Sequence, residues 1–177
     1  MYKYFANALI VNEGREEYGN ILVKANRIEA ISSEPLSDLP LDTEYIDCTG
    51  LIAIPGIIDA HVHFRQPGLE YKADMSSESK AALAGGVTTV LEMPNTNPTT
   101  TSEKSLEDKL KLANENMYCN YGFFFGLTNS NYSTAKTIAR DNCCGLKLFL
   151  GSSTGNMLVD DKNSLRELFS ITDKVIS

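Results

Sequence analysis

The chain has 177 residues, and its 16 Lys and Arg against 23 Asp and Glu give a formal net charge of −7. This length suits one domain of about 100–200 residues, and 42% hydrophobic with 22% charged residues is typical of a folded globular protein. The acidic balance, without a block of Lys or Arg, argues against nucleic acid and anionic membranes as partners.

The first residues and the cysteines indicate a reducing compartment. The N-terminus lacks the apolar stretch and small-residue cleavage site of a secretory signal, and no run approaches the roughly 18 apolar residues of a spanning helix. The four cysteines, at positions 48, 119, 143 and 144, include no Cys-x-x-Cys spacing. We therefore expect a cytoplasmic protein with reduced thiols.

Residues 1–53 have the pattern of a β-rich segment. Short apolar runs at 8–11, 20–24 and 27–31 alternate with polar residues and are separated by Asn and Gly. Period-two alternation between such turn residues predicts short antiparallel strands.

From residue 54 onward, strand patterns alternate with helical ones, which predicts an α/β fold. The predicted strands are 57–64, 87–93, 121–127 and 145–150, and the predicted helices are 74–84, 102–116, 133–141 and 164–176. Successive βα units form a parallel sheet, because parallel neighbours need crossover helices. A complete (β/α)8 barrel takes about 250 residues, so residues 54–177 supply either its first four units or a short open sheet.

His61 and His63 are the only histidines of the chain. In a strand, residues two apart point to the same face, so both imidazoles would lie side by side. Such a pair at the C-terminal end of a strand can bind a divalent metal such as zinc. The alternative is a pair of histidines with an ordinary structural role.

Arg65 and Asn95 follow the first and second strands of this region. The Arg65 guanidinium could bind a carboxylate through two parallel hydrogen bonds, although spacing alone favours an ordinary surface arginine. Asn95 lies in a loop restricted by Pro94 and Pro98 and could point toward the same mouth, although its pattern alone favours a plain turn.

Lys147 interrupts a predicted strand that otherwise consists of Gly, Leu and Phe. Alternation places Leu146, Leu148 and Leu150 toward the helices and Lys147 with Phe149 toward the sheet interior. A buried, unpaired lysine tends to lose its proton, and the neutral amine can react with carbon dioxide to give a carbamate that bridges two metal ions. A lysine that extends from a strand end into solvent is equally compatible with the sequence.

Taken together, the segments 59–68, 84–96 and 145–149 resemble the dihydroorotases of the amidohydrolase superfamily. The resemblance implies a (β/α)8 TIM-barrel type fold of which residues 54–177 are the first half, preceded by a β-sandwich segment at 1–53. In that family, His61 and His63 correspond to zinc ligands, and Lys147 to the carboxylated lysine that bridges two zinc ions. Arg65 and Asn95 correspond to the pair that binds the substrate carboxylate.

The implied reaction is the reversible cyclisation of N-carbamoyl-L-aspartate to L-dihydroorotate in pyrimidine biosynthesis. Gln66 replaces the acid that many relatives carry, a change expected to affect only loop contacts. The family's histidine ligands from the fifth and sixth strands and its eighth-strand aspartate, the catalytic base, have no counterpart after His63. The resemblance therefore implies an N-terminal portion, inactive alone, with no catalytic residue assigned. Its open sheet edge predicts a homo-oligomer.

Two other functions remain open at this point. One is a non-catalytic relative that serves as a scaffold for aspartate carbamoyltransferase, although such a relative should lose its metal ligands first. The other is a different cyclic amidohydrolase, such as a hydantoinase or allantoinase. Because those enzymes generally lack an arginine at this position, Arg65 favours dihydroorotase.

Overall fold

The computed structural model describes residues 1–138, 142–151, 153, 155–171 and 173–177. The chain divides into two compact units, Met1–Pro55 and Gly56–Ser177. This division lies two residues after the boundary at residue 53 that the sequence predicts.

The first unit is a five-stranded sheet. Its strands are β1 (Tyr2–Asn12), β2 (Arg15–Lys24), β3 (Arg27–Ser32), β4 (Thr43–Asp47) and β5 (Ile52–Ala53). The order is β3-β2-β1-β4, with β5 also beside β1. Glu13 and Gly14 connect β1 to β2 with φ of 49° and 73°, the positive values that a tight hairpin turn requires.

The predicted antiparallel strands are present, and the structure adds two parallel ones. β1 pairs antiparallel with β2 and parallel with β4 and β5. The sequence analysis missed β4 and β5 because a parallel partner needs no hairpin turn to mark it. All of these strands share one sheet, so the second layer of the predicted β-sandwich is not found within residues 1–55.

The second unit confirms four consecutive βα units. Its elements are β6 (Ile57–Val62), α1 (Met75–Ala84), β7 (Val87–Glu92), α2 (Glu103–Asn116), β8 (Asn120–Gly126), α3 (Tyr132–Thr137), β9 (Gly145–Lys147) and α4 (Lys162–Phe169). The strands form a parallel sheet in the order β6-β7-β8-β9. None of the helices among the described residues is long and apolar enough to span a bilayer.

Side-chain caps fix where the helices begin. The Asp74 carboxylate accepts the Ser77 N–H at 2.8 Å at the start of α1. At α2, Ser102 and Ser105 each accept the other's backbone N–H at 3.1 Å. The usual Glu or Gln of a capping box is absent at the fourth position. A serine hydroxyl performs the same function.

The last two predicted helices are shorter than expected. Helix 133–141 is observed as α3, and its predicted residues 139–141 lie outside the described part of the chain. Helix 164–176 is observed as α4, and residue 172 also lies outside the described part. The prediction is wrong for residues 170–171 and 173–176, which are not helical. Residues 175–177 run beside β9: Leu146 donates to the Val175 carbonyl at 2.8 Å and accepts from Ser177 at 2.9 Å.

Alternate residues of the sheet face the helices. The core on that side contains Val90, Phe123, Phe125 and Leu146, packed with apolar side chains of the helices. On the opposite face, a side chain at Gly145 would meet the ring of Phe124, 2.8 Å from the Cβ position. Lys147, two residues after Gly145, lies on that opposite face, which the catalytic sites of barrel enzymes adjoin.

Candidate active site

The two histidines lie side by side where β6 ends. Their ring centroids are 5.3 Å apart, with an interplanar angle of 50°. His61 is exposed and His63 is partly buried. Asp59 accepts the His61 backbone N–H through Oδ1 at 3.0 Å, which ties the backbone at this point. The i, i+2 spacing therefore presents both imidazoles to the same region, as alternation along a strand predicts.

Asn95 contacts one of the proposed metal ligands directly. Its Oδ1 lies 2.7 Å from Nδ1 of His63. Because a carboxamide oxygen can only accept a hydrogen bond, Nδ1 carries the ring proton in this arrangement. Nε2 of His63 then keeps a free lone pair, which is the form of imidazole that binds a metal. The Asn95 NH2 group keeps two donors for another molecule.

The loops that carry Arg65 and Asn95 contact each other. The Asn97 N–H donates to the Pro67 carbonyl at 3.0 Å. Gly68, with φ of 83°, approaches the same backbone so closely that a Cβ would lie 1.8 Å from the Asn97 carbonyl oxygen. Arg65 itself has φ of 69°, a conformation that costs energy in a residue other than glycine. Glycine is therefore required at position 68, and Arg65 is held by its surroundings.

Positive charges converge on His63. Partial burial lowers the pKa of His63, and nearby Arg65, His61 and Lys147 lower it further, against the hydrogen bond to Asn95. The neutral imidazole is therefore favoured at neutral pH. Lys147, although 84 positions later in the chain, therefore lies within electrostatic reach of His63.

Lys147 lies at the end of β9 on the predicted face. Leu146 and Leu148 pack on the helix side, whereas the Lys147 amine lies 5.1 Å from the centroid of the Phe149 ring. Leu150 is 64% exposed, because β9 ends at Lys147 and the predicted alternation stops there. Lys147 is also only partly buried, so the argument from complete burial does not apply to it.

The sequence analysis missed a buried ion pair behind these loops. Glu92, the last residue of β7, and Lys109 of α2 have side chains that are 1% and 0% exposed, with Oε2 and Nζ 2.9 Å apart. A lone acid in the apolar strand of residues 87–92 was the available signal. Lys109 offered a further signal, because it lies three residues after Leu106 and four before Ala113, on the apolar face of α2.

The donor set suits part of a zinc site. Two imidazoles with an available lone pair are typical zinc ligands, and a carboxylated Lys147 would add an oxygen donor. No group of three or more His, Cys, Asp or Glu side chains within the described residues is arranged to hold a metal. The amidohydrolase ligands expected from later strands have no counterpart in 1–177, so the residues present fit half of such a centre.

Comparison with known proteins identifies the family of this chain. Residues 52–160 match the family model described as the amidohydrolase family. The chain is 36% identical over 152 residues to a dihydroorotase of Methanothermobacter thermautotrophicus, covering 86% of this chain and 32% of that protein. It is 35% identical over 150 residues to the multifunctional protein CAD of Squalus acanthias, covering 83% of this chain and 7% of that protein.

Solved structures agree as well. The L-hydantoinase (dihydropyrimidinase) of Arthrobacter aurescens superposes with a TM-score of 0.89 at 27% identity, covering 98% of this chain and 39% of that one. The chain thus spans about a third of the single-enzyme relatives that it matches. More than half of the chain matches one family model, and fold and sequence relatives agree with it, so the chain belongs to the amidohydrolase family.

Proposed function

We propose that these residues form the N-terminal portion of a zinc-dependent dihydroorotase, which interconverts N-carbamoyl-L-aspartate and L-dihydroorotate in pyrimidine biosynthesis in the cytoplasm. One observation carries the proposal: the His63–Asn95 hydrogen bond of 2.7 Å joins the proposed metal ligands to the proposed carboxylate-binding residues. Sequence relatives named dihydroorotase support this substrate over other cyclic amides.

His61 and His63 would hold the zinc, together with Lys147 after carboxylation. The amine of Lys147 would attack carbon dioxide, so that an N–C bond forms, one proton leaves and an anionic carbamate with two oxygens results. Bound zinc would supply Lewis acidity toward the amide carbonyl of the ring. The neutral state of His63, which partial burial and the surrounding positive charges favour, keeps its lone pair available for that purpose.

Arg65 and Asn95 would orient the substrate through its carboxylate. A guanidinium offers two parallel N–H donors, and the Asn95 NH2 group adds further donors beside it. Since Asn95 also accepts from His63, the carboxylate site and the metal site would be fixed relative to each other. A ring held in this way presents the same amide carbonyl to the metal in every encounter.

Two measurements on the complete gene product that contains these residues test the proposal. We expect bound zinc by elemental analysis, and both cyclisation of N-carbamoyl-L-aspartate and hydrolysis of dihydroorotate. Turnover of neither substrate by zinc-loaded protein would refute the assignment.

The substitution Arg65→Met tests the carboxylate site. Loss of a hydrogen-bonded charge pair of this kind costs about 1.5–3 kcal/mol, so KM for dihydroorotate should rise about 10- to 100-fold. Arg27→Met, at an exposed arginine of β3, is the matched control and should leave KM unchanged. An unchanged KM in Arg65→Met would remove Arg65 from the site.

A hydantoinase-like activity is the second candidate, because the Arthrobacter aurescens L-hydantoinase has a similar fold. Such an enzyme acts on rings without this carboxylate, so it would turn over hydantoins equally well with methionine at position 65. Preference for dihydroorotate that disappears in Arg65→Met would favour dihydroorotase.

A non-catalytic scaffold is the third candidate. Two relatives have names that describe them as multifunctional proteins, which supports association with other enzyme activities, and aspartate carbamoyltransferase is the partner we propose. Co-purification with that enzyme in the absence of bound zinc would favour a scaffold. Bound zinc together with turnover would favour the enzyme.

A further inference from the structure

A buried acid and a buried base lie directly behind the two loops of the candidate site. The Glu92 and Lys109 side chains are almost fully inaccessible, and Lys109 Nζ also lies 4.9 Å from the centroid of the Phe123 ring. Burial raises the pKa of Glu92 and lowers that of Lys109, and each is opposed by the attraction between the two groups. Neither residue belongs to the metal or carboxylate sites described above.

Lys109 holds both ends of the loop that carries Asn95. Its Nζ donates to the Met93 carbonyl at 3.2 Å and lies 3.5 Å from Thr100 Oγ1. Thr100 Oγ1 is in turn 3.4 Å from Thr96 Oγ1, within the same loop. One ammonium group therefore contacts Met93, where the loop begins, and Thr100, near its end. Through Thr100 it is also connected to the side chain of Thr96, the residue after Asn95.

Glu92 acts on the other loop. The backbone N–H groups of Phe64 and Arg65 lie close enough to its carboxylate to lower its pKa. Neither carboxylate oxygen has a hydrogen-bond partner of standard geometry within the described residues, so this attraction is electrostatic. The geometric link is the pairing of Glu92 with Val62 of β6, three residues before Arg65. It acts where Arg65 adopts a φ of 69°, a conformation that persists only when the surroundings enforce it.

Stability alone does not account for an ion pair at this place. Removing two charges from water is costly, and well-packed apolar side chains of similar volume often replace a buried pair without loss of stability. The pair is instead connected to both loops that carry the proposed carboxylate-binding residues. We propose that Glu92 and Lys109 are positioning residues that fix Arg65 and Asn95 relative to each other and thereby set the affinity for the substrate carboxylate.

This inference rests on the proposed function, and the double substitution Glu92→Met with Lys109→Met tests it. Methionine approximates the volume of both side chains, so we expect a melting temperature close to that of the wild type. KM for dihydroorotate should rise about 10- to 100-fold, as misplaced binding groups cause, while kcat and zinc content change little. The double substitution Lys104→Met with Asp108→Asn removes an exposed ion pair of the same helix and should change none of these quantities.

A wild-type KM in the Glu92 and Lys109 variant overturns the proposal, and so does a parallel loss of kcat and zinc, which would place the pair at the metal. If that variant does not fold, Glu92→Gln decides, because it keeps the volume and removes the charge. An intermediate rise in KM supports the positioning role, and an unchanged KM overturns it.

Amide hydrogen exchange separates this inference from the proposed function. Exchange at Phe64, Arg65 and Asn95 should be faster in the double variant than in the wild type or in the Lys104 and Asp108 control. Unchanged exchange overturns the positioning role even in an active enzyme. Absence of dihydroorotate turnover in the wild type overturns the proposed function, while faster exchange still supports the positioning role.

Discussion

The two sides of the candidate site differ in how firmly they are held. On the β6 and β7 side, His63 is hydrogen-bonded to Asn95, and the two loops share the contact between Pro67 and Asn97. On the β9 side, Lys147 is partly exposed, and its side chain makes no hydrogen bond or ion pair with the other described residues. Its amine only lies near the Phe149 ring and within electrostatic reach of His63.

This difference separates a preorganised side from a side that needs a partner. Hydrogen bonds and packing already fix the His63 imidazole and the Arg65 loop, which lowers the entropy cost of binding there. An amine without a partner has no such fixed position. Carboxylation and a metal would provide Lys147 with the interactions that Asn95 already provides to His63.

The largest expected effect comes from the paired imidazoles. His61→Ala and His63→Ala should each abolish zinc binding and turnover in the complete gene product, a loss greater than the roughly 10- to 100-fold typical of residues that only support a ligand. Elemental analysis and the cyclisation assay measure this. Full zinc occupancy in either variant would show that the preorganised side does not bind metal.

The β9 side is tested with Lys147→Ala and Lys147→Arg. Both should lose most of the activity, because neither side chain can form a carbamate, while the melting temperature should change little at a partly exposed position. Lys111→Ala, at an exposed lysine of α2, is the control. An active Lys147→Arg variant would exclude the carbamate, since a guanidinium keeps its charge.

Two substitutions of Asn95 separate its proposed roles in orienting His63 and in binding the substrate carboxylate. Asn95→Leu should weaken zinc binding about 10- to 100-fold, because it removes the acceptor for His63 Nδ1. Asn95→Asp keeps an acceptor but repels a carboxylate, so it should retain zinc and raise KM for dihydroorotate. Asn97→Ala in the same loop changes a residue that contributes its backbone N–H, and it should affect neither quantity. Equal effects of Asn95→Leu and Asn95→Asp on zinc binding and on KM would contradict this division of roles.

The smallest expected effect concerns the N-cap of α1, the helix that follows the Arg65 loop. Hydrogen bonds from Ser77 lower the pKa of Asp74, so the folded state favours its ionised form. Asp74→Ala should lower the melting temperature at pH 7 by about 2–4 °C, as loss of an N-cap does. A carboxyl group whose pKa is lowered on folding stabilises the folded state at pH values above its unfolded-state pKa. The difference in melting temperature between the wild type and Asp74→Ala should therefore disappear as the pH falls below about 4. A difference that persists at pH 2 would exclude the charged cap.

Local pattern was sufficient for much of the fold. Each of the four parallel strands and each helix of the second unit begins within about three residues of its predicted start, because apolar periodicity and capping residues are encoded locally. The ends were less predictable. Residues 175–177 pair with β9 instead of continuing a helix, since a backbone partner from a distant segment decides their conformation.

Sequence spacing by itself determined that His61 and His63 share a face, that Lys147 lies opposite Leu146, and that strands alternate with helices. Tertiary structure alone decided that Asn95 reaches His63, that Lys147 lies within electrostatic reach of His63, and that Glu92 meets Lys109 out of contact with water. The reason is physical: periodicity fixes the direction of a side chain on its own element, whereas the partner that it meets depends on how separate elements pack.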